Sequence, residues 1–148
     1  MEIFQFLFFT GARLAEIAGL QADDLLEDRI LIRPNELRPL KTLSSERSIP
    51  IHPRLEALVL ELRKKKGLLW PGQYQESNKR WGVNLSKPCR KIVGVTPKGF
   101  RDRAATVLRS NNMNEAVVVA LLGHTPNSIS MSYGAAPWSE LRRAVKLL

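Results

Sequence analysis

TGARLAEIAGL, residues 10–20, sits between two apolar helical patterns and decides how the chain is read. Residues 2–10 read as a helix buried on most sides, because the run IFQFLFF leaves it no polar face. Gly11 then ends that helix, the left-handed position that glycine takes at helix stops. Residues 12–20 restart a helix, with Leu14 and Ile17 on one face and Gly19 near its end. Arg13 stands two positions after the stop, and Glu16 follows it by three.

Outward from this break, the chain stays mostly helical. QADDLLED (residues 21–28) is a polar connection. RILIRP, ELRPLK and RSIPI are short and rich in strand formers, and predict a three-stranded antiparallel meander over residues 29–51. Pro39 and Pro50 suit edge positions or strand ends. Leu55, Leu58, Val59 and Leu62 predict a helix over 53–66 that Gly67 stops. LLWPGQYQES reads as a loop and residues 78–92 as a basic helix. Thr96-Pro97 is a helix start, a capping hydroxyl followed by proline at the first helical position. Phe100, Ala104, Val107 and Leu108 form that helix's buried stripe. Asn114 caps a helix over EAVVVALL, which Gly123 closes. Thr125-Pro126 starts a short helix carrying Ile129 and Tyr133 on one face, and residues 137–148 are a final amphipathic helix. The expected fold class is mostly α (α+β), with one small sheet and no internal linker.

The chain has 148 residues, about one domain, and is 44% hydrophobic, enough to bury a core. Lysine and arginine number 23 against 14 acids, a net charge of +9. That excess points to a polyanionic partner, most commonly nucleic acid. The single cysteine, Cys89, excludes an internal disulfide, and with two histidines it makes no convincing zinc site. A reducing cytoplasm fits. IFQFLFF is far short of the roughly 20 apolar residues that span a bilayer. It also lacks the basic leader and cleavage site of a signal peptide.

Several basic residues occupy marked places. Arg13 follows a helix stop, and Lys41 lies at the expected turn between the second and third strands. Lys98 and Arg101 are three apart, hence neighbours on one helix face, in first turns that favour an anion. His124 follows the Gly123 stop, and Tyr133 comes nine positions later. Singly, each has an ordinary reading. Arg13 pairs Glu16, Lys41 protects a strand edge, Lys98 and Arg101 are solvated, His124 caps, and Tyr133 packs. Jointly they are what a phenol attacking a phosphodiester requires. A phenol with a pKa near 10 is a poor nucleophile until activated. The transition state gathers negative charge on non-bridging oxygens, which arginine forks neutralise. The leaving 5′ oxygen needs a general acid.

The same four stretches resemble the boxes of the tyrosine recombinases, the phage integrase family. TGARLAEIAGL resembles the first arginine box, T-G-x-R-x-x-E before an apolar helix. PLKTLSSERSIPI resembles the β-hairpin box, where a lysine precedes an R-x-x-P-like strand. TPKGFRDRAATVL resembles the second arginine box, and LLGHTPNSISMSYG the final one, leucine-glycine-histidine with tyrosine nine later. The boxes span residues 10 to 134 in the family's order. The resemblance implies that Arg13, Lys41, Lys98, Arg101, His124 and the nucleophile Tyr133 are catalytic, and that Glu16 braces Arg13. A lysine, Lys98, stands where the family more often has histidine; it acts either as the base or as a charge. Asp102, where a basic or polar residue is commoner, is expected to tether a neighbouring arginine. Residues 1–148 would be the catalytic domain, lacking the amino-terminal DNA-clamping domain that family members carry.

The partner implied is double-stranded DNA, cut and rejoined through a 3′-phosphotyrosyl link with no cofactor and no metal. Four protomers act on paired sites, and the carboxy-terminal helix either exchanges between protomers or packs on its own core. Lys79, Arg80, Lys87, Arg90 and Lys91 are candidate phosphate contacts, or else one solvated basic face. Two other readings stand beside this one: a type IB topoisomerase relaxing supercoils as a monomer, and a non-catalytic DNA-binding prophage remnant.

Overall fold

The computed structural model describes residues 2–38, 46–123 and 136–148. In chain order the elements are α1 (Glu2–Thr10), α2 (Leu14–Ala18), β1 (Arg29–Ile32), β2 (Arg47–Pro50) and α3 (Glu56–Leu62). There follow β3 (Tyr74–Gln75), β4 (Arg80–Trp81), α4 (Ser86–Val93), α5 (Pro97–Ser110), α6 (Glu115–Leu122) and α7 (Trp138–Val145).

The apolar run at the start becomes the centre of the core. Phe6 and Leu7 of α1 are wholly buried, and α1 packs along α5. There Phe100 lies between Phe4 and Phe8, at ring separations of 6.4 and 6.1 Å. α1 ends inside the protein, so its terminal polar groups need internal partners. The Thr10 hydroxyl donates to the Phe6 carbonyl at 2.6 Å and accepts from the Ala12 N–H at 3.2 Å. Gly11 then turns at φ +63°. A Cβ there would lie 2.6 Å from Leu122 Cδ2 and 2.7 Å from the Ala104 Cβ. Glycine is thus required both by the left-handed backbone and by the close approach of α1, α5 and α6.

β1 and β2 pair antiparallel, Ile30 opposite Ile49 and Ile32 opposite Arg47. Their buried faces carry the three isoleucines, all fully inside. α7 lays Leu141, Ala144 and Val145 onto the core, against α6 and β2 of its own chain. Among the described residues no helix is long and apolar enough to cross a membrane.

Four expected elements differ. The described sheet around β1 and β2 has two strands, not three. In the expected middle strand, residues 36–38 fold into a turn that bridges Asn35 to Arg38. The Asn35 side chain accepts from the N–H groups of Leu37 and Arg38 at 3.2 and 2.8 Å, an alternative to strand pairing. Arg38 is drawn inward, donating to the Glu16 and Arg33 carbonyls at 2.8 Å each. Residues 39–41 of that strand lie outside the described residues.

The expected loop at 68–77 holds β3, and the expected helix at 78–92 begins with β4, so the helix proper starts only at Ser86. Two features override helical propensity there. Lys79 and Gly82 both adopt positive φ. The Trp81 ring packs 5.0 Å from Tyr74 while its indole N–H donates to the Leu37 carbonyl at 3.0 Å. The helix expected over 53–66 is α-helical from Glu56 to Leu62, after a single tight turn over Pro53–Leu55.

Candidate active site

The break at Gly11 places Arg13 at the entrance to α2 in extended backbone, with its side chain turned toward the end of α6. Its backbone N–H donates to Glu16 Oε2 at 2.8 Å. Its guanidinium forms an ion pair with Glu16 Oε1 at 2.7 Å and donates to the Gly123 carbonyl at 2.9 Å. Glu16 is 4% exposed, yet it is not a lone buried charge. Arg47 of β2 meets its other oxygen at 2.9 Å. Burial raises the Glu16 carboxyl, but the hydrogen bond and charge of Arg47, with the bonds from Arg13, outweigh it and hold the group below the usual carboxylate range. Glu16 therefore braces two arginines, one more than the sequence suggests.

Arg47 also donates from Nε to the Leu121 carbonyl at 2.8 Å. Two arginines from separate elements thus grip the carbonyl end of α6, where the helix leaves backbone acceptors unfilled and negative charge accumulates. Gly123 ends α6 at φ +67°, and a Cβ there would stand 2.5 Å from Arg47 Nη1.

Arg101 reaches the same place from α5, which Thr96 caps by accepting from the Gly99 N–H at 3.3 Å. Its Nη1 donates to the Gly11 carbonyl at 3.1 Å. Its Nη2 is buried with no hydrogen-bond partner among the described residues. Burial first, then the neighbouring charges of Arg13 and Arg47, push its pKa down to about 10, so it stays charged at neutral pH. Arg13, Arg101 and Lys98 line one cleft of about 320 Å³, together with Ser86 and Thr96.

Lys98 shares the cleft wall, but its ammonium ion-pairs Asp102 at 2.7 Å with its side chain 78% exposed. Asp102 therefore tethers this lysine, the i, i+4 neighbour on its own helix, and not an arginine. Lys41, His124 and Tyr133 lie outside the described residues. Among the candidate phosphate contacts, Lys79 and Arg80 are exposed on the β3–β4 hairpin. Lys87, Arg90 and Lys91 line a shallow hollow on α4 with Ser86, the residue that also borders the arginine cleft. Among the described residues no three histidine, cysteine, aspartate or glutamate side chains converge as metal ligands. Arg47 is the site residue that sequence reasoning passed over. Its signal was present in the R-x-x-P strand, noted there only as a marker for the preceding lysine.

No protein-family model and no curated protein matches the chain. Solved structures do. The integrase from mycobacterium phage Brujita superposes with a TM-score of 0.72 at 14% identity, over 99% of this chain and 50% of that one. The Tn1549 transposon integrase in complex with circular intermediate DNA gives 0.62 at 18% identity, over 96% and 57%. The same integrase in complex with transposon right end DNA gives 0.56 at 20% identity, over 99% and 58%. The chain shares the fold of these integrases; Arg13 and Arg101 line one cleft in it, and Arg47 pairs with the Glu16 that also holds Arg13. It spans about half the length of the integrase chains it matches.

Proposed function

We propose that this chain is the catalytic domain of a tyrosine recombinase, cutting and rejoining double-stranded DNA through a 3′-phosphotyrosyl intermediate. The observation that carries the reading is Arg101: a half-buried, charged guanidinium in a cleft shared with Arg13, with one buried nitrogen lacking an acceptor among the described residues. An unfilled buried donor costs about 1–3 kcal/mol, and a phosphate oxygen would fill it. The shared fold with a phage integrase and a DNA-bound transposon integrase supports the same reading.

In this mechanism the Tyr133 phenol gives its proton to water as Oη attacks the scissile phosphorus and the bond from phosphorus to the 5′ oxygen breaks. Arg13 and Arg101 take the charge that grows on the non-bridging oxygens, and His124 donates a further hydrogen bond. Lys41 gives its proton to the leaving 5′ oxygen. The 5′ hydroxyl of another strand then attacks the phosphotyrosyl phosphorus, returning a proton to Lys41, and the Tyr133 oxygen leaves and takes a proton from water. The bond energy is conserved in the tyrosyl ester, so no nucleotide is consumed. Lys98, already paired with Asp102, contributes positive charge at the cleft wall. Recombination needs two duplexes and four protomers; α7 would exchange only by leaving its own α6 and β2.

The test is a nicked suicide duplex built from the repeats flanking the coding sequence. Wild-type protein is expected to form a covalent protein–DNA adduct, and Tyr133→Phe none. An adduct that persists in the variant overturns the assignment of Tyr133. Binding with no adduct from the wild type would mark a non-catalytic DNA-binding module. Relaxation of a supercoiled plasmid by monomers, without exchange between paired sites, would mark a topoisomerase.

A further inference from the structure

Arg47 joins two parts of the site. One is the carboxylate that fixes Arg13; the other is the last turn of α6, from which the sequence runs directly to His124 and Tyr133. Its guanidinium spans Glu16 Oε2 at 2.9 Å, Glu16 Oε1 at 3.3 Å and the Leu121 carbonyl at 2.8 Å. Its side chain is only 7% exposed, so a phosphate does not reach it as it would a surface arginine. The backbone is shaped around it. Gly123 places no Cβ in the space that Nη1 occupies, where one would stand 2.5 Å away. Arg13 closes the loop from the other side, through Glu16 Oε1 and the Gly123 carbonyl. The result is a ring: Arg13, Glu16, Arg47, the end of α6, and back to Arg13. It ties together α2, β2 and α6, three elements that share no local sequence.

We infer that Arg47 is a positioning residue: it holds the phosphate-binding Arg13 and the departure point of the Tyr133 segment in one fixed relation. The inference rests on the proposed phosphotyrosyl chemistry. Arg47 does not touch DNA; its work is to keep the end of α6 at a set distance from the guanidinium that holds the phosphate. Misplacement by about 1 Å in such an arrangement costs about 100-fold in rate. Lysine at this position keeps a positive charge beside Glu16 but has one point of donation, so it cannot bridge to Leu121 as the planar fork does.

The experiment uses Arg47→Lys, with Arg47→Ala as a second variant if lysine alters folding, each checked by its melting transition. Three quantities are read on the suicide duplex and the free protein: the single-turnover adduct rate at saturating DNA, the DNA affinity, and amide hydrogen exchange over residues 118–123. The expected result for Arg47→Lys is an adduct rate reduced about 10- to 100-fold, affinity within about threefold, and faster exchange at the end of α6. A merely structural role would lower the melting temperature and leave the rate at saturating DNA unchanged, which overturns the inference. Affinity falling in step with rate overturns it too, since Arg47 would then be a phosphate contact. Unchanged exchange over 118–123 shows that the tie to α6 carries nothing, whatever the adduct does. If wild-type protein forms no adduct, the proposed chemistry itself has failed, and the exchange measurement separates that failure from loss of the tie.

Discussion

Gly11 shows how much a single residue carries here. Its φ of +63° costs a residue with a Cβ roughly 1–2 kcal/mol. The Cβ would also press on Leu122 and Ala104 at 2.6 and 2.7 Å, a packing penalty of about 1–3 kcal/mol. Gly11→Ala is therefore expected to lower stability by about 2–5 kcal/mol, read as a lower urea midpoint with an unchanged slope. A loss below about 1 kcal/mol would mean that α1, α5 and α6 separate more easily than their packing indicates. The same residue offers its carbonyl to Arg101, so its position sets the cleft as well as the core. Gly11 and Arg13 were both legible in TGARLAEIAGL, because a helix stop is a local event. The neighbours that crowd Gly11, 93 and 111 positions away at Ala104 and Leu122, were not.

At the scale of elements, local side chains set where several helices begin. α5 starts on Thr96 and Pro97, α6 starts on Asn114, and α3 is entered through His52. His52 Nδ1 accepts from the Arg54 N–H at 3.0 Å while its ring stacks 4.3 Å from Phe9. A protonated ring loses that acceptor. Burial first, and then the charge of Arg54, hold its pKa below the usual 6.5. The unfolded chain therefore binds this proton at higher pH than the folded one. Stability from His52 is present above about pH 6.5 and is lost as pH falls below it. Glu16 adds a second loss at lower pH, because its folded pKa is depressed below 4.5. His52→Asn keeps a capping side chain without a titrating ring. It is expected to flatten the melting-temperature slope between about pH 5 and 7 and to leave the slope below pH 4.5 in place. An unchanged slope between pH 5 and 7 would remove His52 as its source. The caps and glycine stops were readable from sequence. The strand β4 was not, because Trp81 forms it by packing on Tyr74 and bonding to Leu37, at a separation of 44 residues.

For the whole molecule, the net charge of +9 predicts binding to a polyanion, and the structure gives that charge a place. The α4 hollow lined by Lys87, Arg90 and Lys91 borders the arginine cleft, the two sharing Ser86. Each phosphate that the protein ceases to neutralise lowers the slope of log affinity against log salt by roughly 0.9. Replacing Lys87, Arg90 and Lys91 together by glutamine is expected to reduce the slope in proportion to the phosphates they neutralise, with the adduct rate at saturating DNA unaltered. A wild-type slope in that variant would leave these residues as a solvated face. By itself the sequence determined the helical class, the helix stops and caps, and the local pair Arg13–Glu16, whereas the partner of Asp102 proved to be Lys98 and not an arginine. Those depend on spacings of three or four residues along a helix. Only the tertiary structure decided that Glu16 braces two arginines, that Arg47 holds a carbonyl 74 residues away, and that Arg101 keeps a buried donor without an acceptor among the described residues. Such convergence depends on how α2, β2, α5 and α6 pack, and no spacing along the chain encodes it.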